Sequence, residues 1–422
     1  MTSPASAPIR GRPRVARPHT GVGAVGDDAM GGVGSPTIAY VINHAAFFVS
    51  HRLPLAIEAH RRGYRILLFT GQAGSESMEP AAERVLAEHG IQHVRLSFTS
   101  SGTNPLVELR GLFQLVSHLR RARPDLVHCA SPKGNLYGGI AARLARVPAV
   151  VFAISGMGFA FTAAGRQSAA RRVVASIYRQ LAKFAFRQAR QRIIVQNHDD
   201  LALMRSTGVG QPSELVLVPG SGVDLQLFAA ADPMFKENVV LFPARVLIDK
   251  GALEFFAAAR SLRTREPAWR FLIAGAADYR NPSSVPRAQL EELQAEGIIE
   301  WLGHTSDMPR LFSRAAIVCL PSYREGMPKA LLEAAAAGCA VVTTDVPGCR
   351  EAITPGVTGD LVAPRDPDAL TAALHALMGD RHRREGYGRA GRSLAARQFA
   401  IESVVDRVMH LYGDLLYDSR KQ

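Results

Sequence analysis

Ile317-Val-Cys-Leu-Pro321-Ser-Tyr-Arg-Glu325-Gly-Met-Pro328-Lys-Ala-Leu-Leu-Glu333-Ala-Ala-Ala-Ala-Gly338-Cys-Ala340-Val-Val-Thr-Thr344 is the stretch on which the fold turns. It holds a short apolar run ending at Pro321, a polar loop, and an Ala/Leu segment entered through Pro328. Proline suits a first helical position and glycine stops a helix, so the segment reads as a helix over Pro328–Ala337 closed by Gly338. A second β-branched run, Ala340–Thr344, follows at once. Strand, helix, strand in this order is one βαβ unit, which implies a parallel sheet covered on both faces.

The same alternation extends in both directions. Upstream, strand-like runs at Val239–Ala244, Arg270–Ala274, Ile298–Leu302 and Ile317–Pro321 alternate with helix candidates at Gly251–Arg263, Pro286–Ala295 and Met308–Arg314; Pro367–Met378 follows downstream. An earlier series runs Ile38–Ile42, Arg65–Thr70, His93–Phe98, Leu126–Ala130, Ala149–Ser155, Arg192–Gln196 and Leu215–Val218. Its helix candidates are His51–Arg62, Met78–Glu88, Leu106–Arg121, Gly134–Ala145 and Ser168–Arg190. The alternation pauses at Pro219-Gly-Ser-Gly-Val-Asp224, with a hinge near 219–236. The expected fold class is α/β: two doubly wound parallel-sheet (Rossmann-like) domains facing across a cleft, at 37–222 and 223–395. Residues 396–422 are expected to form a helix returning to the first domain. Ligands of such sheets bind beyond the carboxyl ends of the strands, so the cleft is the expected site.

Composition sets the outer bounds. A chain of 422 residues, 47% hydrophobic and 21% charged, has material for two cores. A formal charge of +13 favours an anionic partner without choosing among nucleic acid, phospholipid and nucleotide. No basic surface interleaved with aromatic residues is evident, which argues against nucleic acid. Cys129, Cys319, Cys339 and Cys349 form no CxxC pair and read as reduced thiols of a cytosolic protein. Residues 1–36 read as a disordered leader, and their Gly21-Val-Gly-Ala-Val-Gly26 lacks the preceding strand that a dinucleotide-binding loop needs. Val147 to Gly165 carries no charge, but Pro148, Gly156 and Gly158 make it a strand and an apolar loop instead of a membrane span.

Two clusters carry candidate chemistry. Gly326, Met327 and Lys329 offer backbone N–H groups at a helix N-terminus, a geometry that holds a diphosphate. Glu325 precedes that helix and Glu333 lies inside it, so both carboxylates can reach one ligand. For Glu325 the alternative is an acid favoured by the helix dipole, and for Glu333 an i,i+4 pair with Lys329; both readings stay open. Arg245-Val-Leu-Ile-Asp-Lys250 follows the strand Val239–Ala244 and can place two positive charges on a leaving diphosphate. Solvated cations at a helix start are the alternative there.

These clusters spell E-x7-E (Glu325, Glu333) and R-x4-K (Arg245, Lys250), and the chain from about 37 to 415 resembles family 4 retaining glycosyltransferases of the GT-B fold. Phe47-Phe-Val-Ser-His51-Arg-Leu-Pro54, Gly220-Ser-Gly-Val-Asp224, Trp301-Leu-Gly-His304 and Asp345-Val-Pro-Gly-Cys-Arg-Glu351 extend the resemblance. They look most like the bacterial branch that assembles surface polysaccharide or lipid-linked oligosaccharide. The resemblance implies that Glu325 binds donor-sugar hydroxyls, Glu333 accepts from the ribose, and Arg245 and Lys250 stabilise the departing diphosphate. It implies no cofactor and no catalytic metal. The co-substrates would be a nucleotide sugar, with UDP favoured, and a polyprenyl-diphosphate-linked saccharide. The candidates on the acceptor side are Asn43, His51, Arg52, His128 and Lys133. Two departures stand out: Ala130 occupies the place where many members carry a histidine, and Asn43-His-Ala-Ala-Phe-Phe48 replaces a glycine pair. An anionic membrane surface is a further candidate partner through the cation-rich Ser168–Arg192 and the apolar loop Gly156–Phe161, which would place the protein on the inner face of the cytoplasmic membrane. A UDP-sugar epimerase of the same fold and a non-catalytic nucleotide-binding protein are the competing readings.

Overall fold

The computed structural model describes residues 34–72, 78–99, 104–156, 180–229, 236–279 and 281–417. The expectations for the leader, for the Gly21–Gly26 motif, for most of Gly156–Phe161 and for the first half of Ser168–Arg192 lie outside these residues. The first sheet comprises β1 (Thr37–Ile42), β2 (Arg65–Gln72), β3 (Gln92–Thr99), β4 (Leu126–Ala130), β5 (Ala149–Ile154), β6 (Gln191–Val195) and β7 (Leu215–Leu217), in the order 3-2-1-4-5-6-7. The second comprises β8 (Glu237–Phe242), β9 (Arg270–Ile273), β10 (Glu300–Trp301), β11 (Ala315–Leu320), β12 (Ala340–Thr344) and β13 (Gly359–Val362), in the order 10-9-8-11-12-13. All described pairings within both sheets are parallel.

Strand order reverses between β1 and β4 in the first sheet and between β8 and β11 in the second. A crevice opens at such a point because the flanking helices lie on opposite faces. The first sheet is covered by α1 (Ala45–His51), α2 (Leu53–Arg61), α3 (Glu79–Glu88), α4 (Pro105–Ala122), α5 (Pro132–Ala145) and α6 (His198–Thr207). The second carries α7 (Ala252–Arg263), α8 (Arg287–Ala295), α9 (Met308–Arg314), α10 (Lys329–Ala336), α11 (Pro367–Gly379) and α12 (Arg381–Leu394). Each sheet has an apolar core on both faces. The last helix, α13 (Ile401–Tyr417), leaves the second domain through a π-helical turn at Ala395–Phe399. It buries Val404, Val408, Met409 and Tyr412 in the first domain's core.

Several local expectations are corrected. The helix expected over His51–Arg62 is two helices broken at Arg52 (φ −131°), and the first begins at Ala45, where the sequence reads as a loop. Glu79 from α3 explains that start: its carboxylate accepts from the Ala45 and Ala46 N–H groups, a tertiary cap with no local sequence signal. The strand expected over Ile298–Leu302 shrinks to Glu300–Trp301. Gly359–Val362, α6 and α12 form elements that the periodicity alone does not single out.

Candidate active site at the domain interface

The loops after β8 and β11 meet at the second sheet's switch point. The Tyr323 N–H donates to the Asp249 carbonyl at 2.9 Å, which joins the Arg245–Gly251 turn to the loop before α10. Lys250 Nζ lies 2.5 Å from Glu325 Oε1, and Ser322 Oγ donates to the same oxygen at 2.7 Å. Arg245 extends into the cleft with its side chain 54% exposed and paired to Asp278 at 2.8 Å. Pro328 is the cap of α10 and Lys329 its first residue, one position later than expected, and among the described residues no side chain caps this N-terminus. Glu333, one turn in, is buried. Burial raises its carboxyl above the ordinary range, and Lys329 at 3.2 Å opposes the rise. The i,i+4 pair and a ligand role are therefore compatible at Glu333.

Lys329 also reaches the first domain, donating to the Ser50 carbonyl at 3.1 Å. That carbonyl is open to it because Pro54, four residues on, has no N–H to give. Close by, Gly326 is pressed against the end of β5, where a methyl group would lie 2.4 Å from the Ser155 carbonyl oxygen. Its own carbonyl accepts from Asn197 Nδ2 at 2.6 Å. Asn197 caps α6, and Asp200 in the first turn, fully buried, accepts from both Asn197 and Arg324. Asp199 pairs with Arg350 at 2.9 Å. The start of α6 thus grips the loop that carries Glu325. The signal for it lies in Asn197-His-Asp-Asp200, a cap followed by acids at a strand's carboxyl end.

The acceptor-side candidates divide. His51 lies at the interface, stacked on Phe47 with ring centroids 4.3 Å apart; burial first, then Arg52 and Lys329, push its imidazole down to about 3. Asn43 is occupied by structure: its Oδ1 accepts from Ser131 Oγ at 2.6 Å and the Gly134 N–H at 3.3 Å, tying β1 to α5. Lys133 is paired with Glu108 at 2.9 Å and donates to the Thr99 carbonyl at 2.7 Å, so it fastens two turns together. His128 faces the core, 1% exposed, with Nδ1 2.7 Å from the Tyr412 hydroxyl. The alternation of β4 turns it beneath α13, away from the strand end where an acceptor would dock. Arg52 is 7% exposed beside Tyr40 and Tyr412, and its Nη1 donates to the His51 carbonyl. Arg52 Nε and His128 Nε2, both without a hydrogen-bond partner among the described residues, belong to residues lining one cavity of about 20 Å³, room for a water. His44 has no motif in the sequence to single it out. It caps α1 at the first sheet's switch point, and burial lowers its pKa while Glu79 raises it and Arg245 lowers it further.

Both halves of the chain match known families. A family model described as glycosyl transferases group 1 matches residues 229–394, and one described as glycosyl transferase 4-like matches 37–197. The chain is a glycosyltransferase. A curated relative, the N,N'-diacetylbacillosaminyl-diphospho-undecaprenol alpha-1,3-N-acetylgalactosaminyltransferase of Campylobacter jejuni, is 29% identical over 345 residues, covering 78% of this chain and 88% of its own. The UDP-Gal:alpha-D-GlcNAc-diphosphoundecaprenol alpha-1,3-galactosyltransferase of Escherichia coli is 27% identical over 322 residues, covering 73% and 80%. Among solved structures, Anabaena HepE in complex with UDP and glucose superposes with a TM-score of 0.70 at 18% identity, covering 89% of this chain and 99% of that one. Sucrose-phosphate synthase from Thermosynechococcus elongatus gives 0.71 at 19%, covering 91% and 100%. These structures share the fold, GT-B.

Within this glycosyltransferase the two halves differ in what they hold ready. The second domain gathers Arg245, Lys250, an uncapped helix N-terminus and two carboxylates at one switch point, a set suited to an anionic leaving group flanked by hydroxyls. The first domain presents His44, His51 and Ser50 across from them.

Proposed function

We propose that this glycosyltransferase moves a hexose or N-acetylamino sugar, with retention of configuration, from a UDP-sugar to a polyprenyl-diphosphate-linked saccharide. What supports the reading is the Lys250–Glu325 pair, with Arg245, before the open N-terminus of α10 at the switch point of the second sheet. Glu325, oriented from behind by the buried Ser322 hydroxyl, faces the sugar, Glu333 accepts from the ribose, and the α10 N–H groups with Arg245 and Lys250 hold the diphosphate. Charge developing on the departing UDP is met by fixed cations and dipoles, which is where such groups contribute most to rate. We assign this role to the side chains and backbone alone, with no metal and no cofactor. The lipid-linked acceptor rests on the names of the Campylobacter and Escherichia relatives, which both carry undecaprenyl diphosphate.

The test is a panel of UDP-sugars offered with and without a diphosphoundecaprenyl saccharide. Transfer to the lipid product with α linkage from an α donor supports the proposal. UDP release at equal rate without acceptor would point to an epimerase or a hydrolase, and the absence of any turnover across the panel would remove the UDP-sugar assignment.

A further inference from the structure

Among the described residues the most exposed large apolar side chain is Leu106 on α4, at 78%, and Phe113 (64%) and Leu109 (49%) lie on the same helix. Spacings of three and four place them in one stripe, because such positions are neighbours on a helix surface. The opposite face of α4 is fixed: Leu115, Val116 and Leu119 are buried in the core, and Gly111 sits so close to β3 that a methyl group would lie 2.6 Å from the Phe98 nitrogen. The helix cannot roll its stripe inward. Isolated exposed leucines need no explanation, but three apolar side chains on one face of one helix do.

Among the described residues, the exposed charges on α4 and just beyond its C-terminus have one sign. Arg110, Arg120 and Arg121 on α4 are exposed, and so are Arg123 and Arg146 beside its C-terminus. The only acid of α4, Glu108, is turned inward and paired with Lys133. Leu144 of α5, 43% exposed, continues the surface, since Arg120 donates to its carbonyl at 3.1 Å. A second copy of the chain would bring arginine against arginine, which disfavours self-association through this face. An anionic bilayer matches both features: apolar side chains enter the acyl boundary while arginines meet lipid phosphates.

The direction of α4 adds a reason. It follows β3, so its first turns lie at the carboxyl edge of the sheet, where the cleft opens. Leu106 to Phe113 span roughly 10 Å at the helical rise, all within that end. We propose that the outward face of α4 docks this glycosyltransferase on an anionic lipid surface, with the cleft mouth turned toward the membrane that holds a lipid-linked acceptor. The proposal rests on the acceptor reading above only for its orientation; the surface itself is read from α4.

The full chain is tested by flotation with phosphatidylcholine vesicles, with or without phosphatidylglycerol. Wild type should float with the anionic vesicles and stay behind with the neutral ones. The triple variant Leu106→Gln, Leu109→Gln, Phe113→Gln keeps good helix formers, and its vesicle partitioning should fall about tenfold with its thermal midpoint preserved. Arg110→Gln with Arg121→Gln should lower partitioning severalfold and flatten its salt dependence. Wild type that never floats, or a triple variant that floats as well as wild type, overturns the proposal. So does a triple variant that turns from dimer to monomer in sedimentation. Transfer to a detergent-dispersed acceptor, measured alongside, reports on the acceptor reading separately: it should survive the triple substitution.

Discussion

Lys250 and Glu325, 75 residues apart, share a 2.5 Å ion pair that joins the turn after β8 to the loop before α10. The pair places a cation beside the carboxylate assigned to the donor sugar, at the point where strand order reverses.

Replacing Glu325 with Gln should lower kcat by about 10²–10³, the loss typical of removing one preorganised polar group. Lys250→Met should do the same. Because the two act as a unit, the double variant should be little worse than either single one. Steady-state kinetics with melting curves checks this, and full additivity would mean that the two residues act independently.

Glu333 gives a pH dependence. Burial raises its folded carboxyl pKa above 4.5, so as pH rises from 4.5 through the folded pKa the residue loses stability relative to the unfolded chain and gains the charge that accepts from ribose hydroxyls. Donor KM should therefore fall with rising pH across that window, and Glu333→Gln should flatten the profile. Lys329→Met removes the opposing cation and should move the window upward.

His128 has the opposite linkage. Burial holds its folded pKa well below 6.5, so stability is present above 6.5 and is lost as pH falls toward the folded value. Its share of the slope is at most about 1.4 kcal/mol per pH unit. Urea melts between pH 7 and 5 should show a shallower loss in His128→Phe than in wild type.

Asn197→Ala should leave the Gly326 carbonyl and Asp200 short of a donor, at a cost of about 1–3 kcal/mol. It should also lower kcat/KM by loosening the loop that carries Glu325, and Asn197→Asp should not rescue it, since a carboxylate cannot donate to that carbonyl.

Chelation tests the metal-free assignment. Dialysis against EDTA should leave transfer within about twofold of the untreated rate, with the donor charge met by Arg245, Lys250 and α10. A loss restored by magnesium would show that a cation is part of the site.

Alternation of buried β-branched runs with helical stretches made the two parallel sheets legible. Leu126–Ala130 and Ala340–Thr344 stand out as strands because they are short, mostly apolar or β-branched, and buried along their whole length. Glu300–Trp301 is short because only two of its residues find β9 as a partner, a fact of pairing and not of propensity. In the site, the local i,i+4 relation of Lys329 and Glu333 was readable, whereas the Lys329 contact to Ser50 was not. The partner there is a backbone carbonyl 279 residues away, left open by a proline in another helix.

By itself, then, the sequence determined which segments become strands and helices and which charged residues stand at strand ends, because periodicity and helix stops act over a few residues. The tertiary structure alone decided which of those residues face the cleft. Asn43 and Lys133 stand at strand ends as expected, yet Ser131 and Glu108 hold them in structural roles, and the alternation of β4 under α13 turns His128 inward. Burial and hydrogen-bond partners are properties of packed surfaces, and they come into being only when distant segments meet.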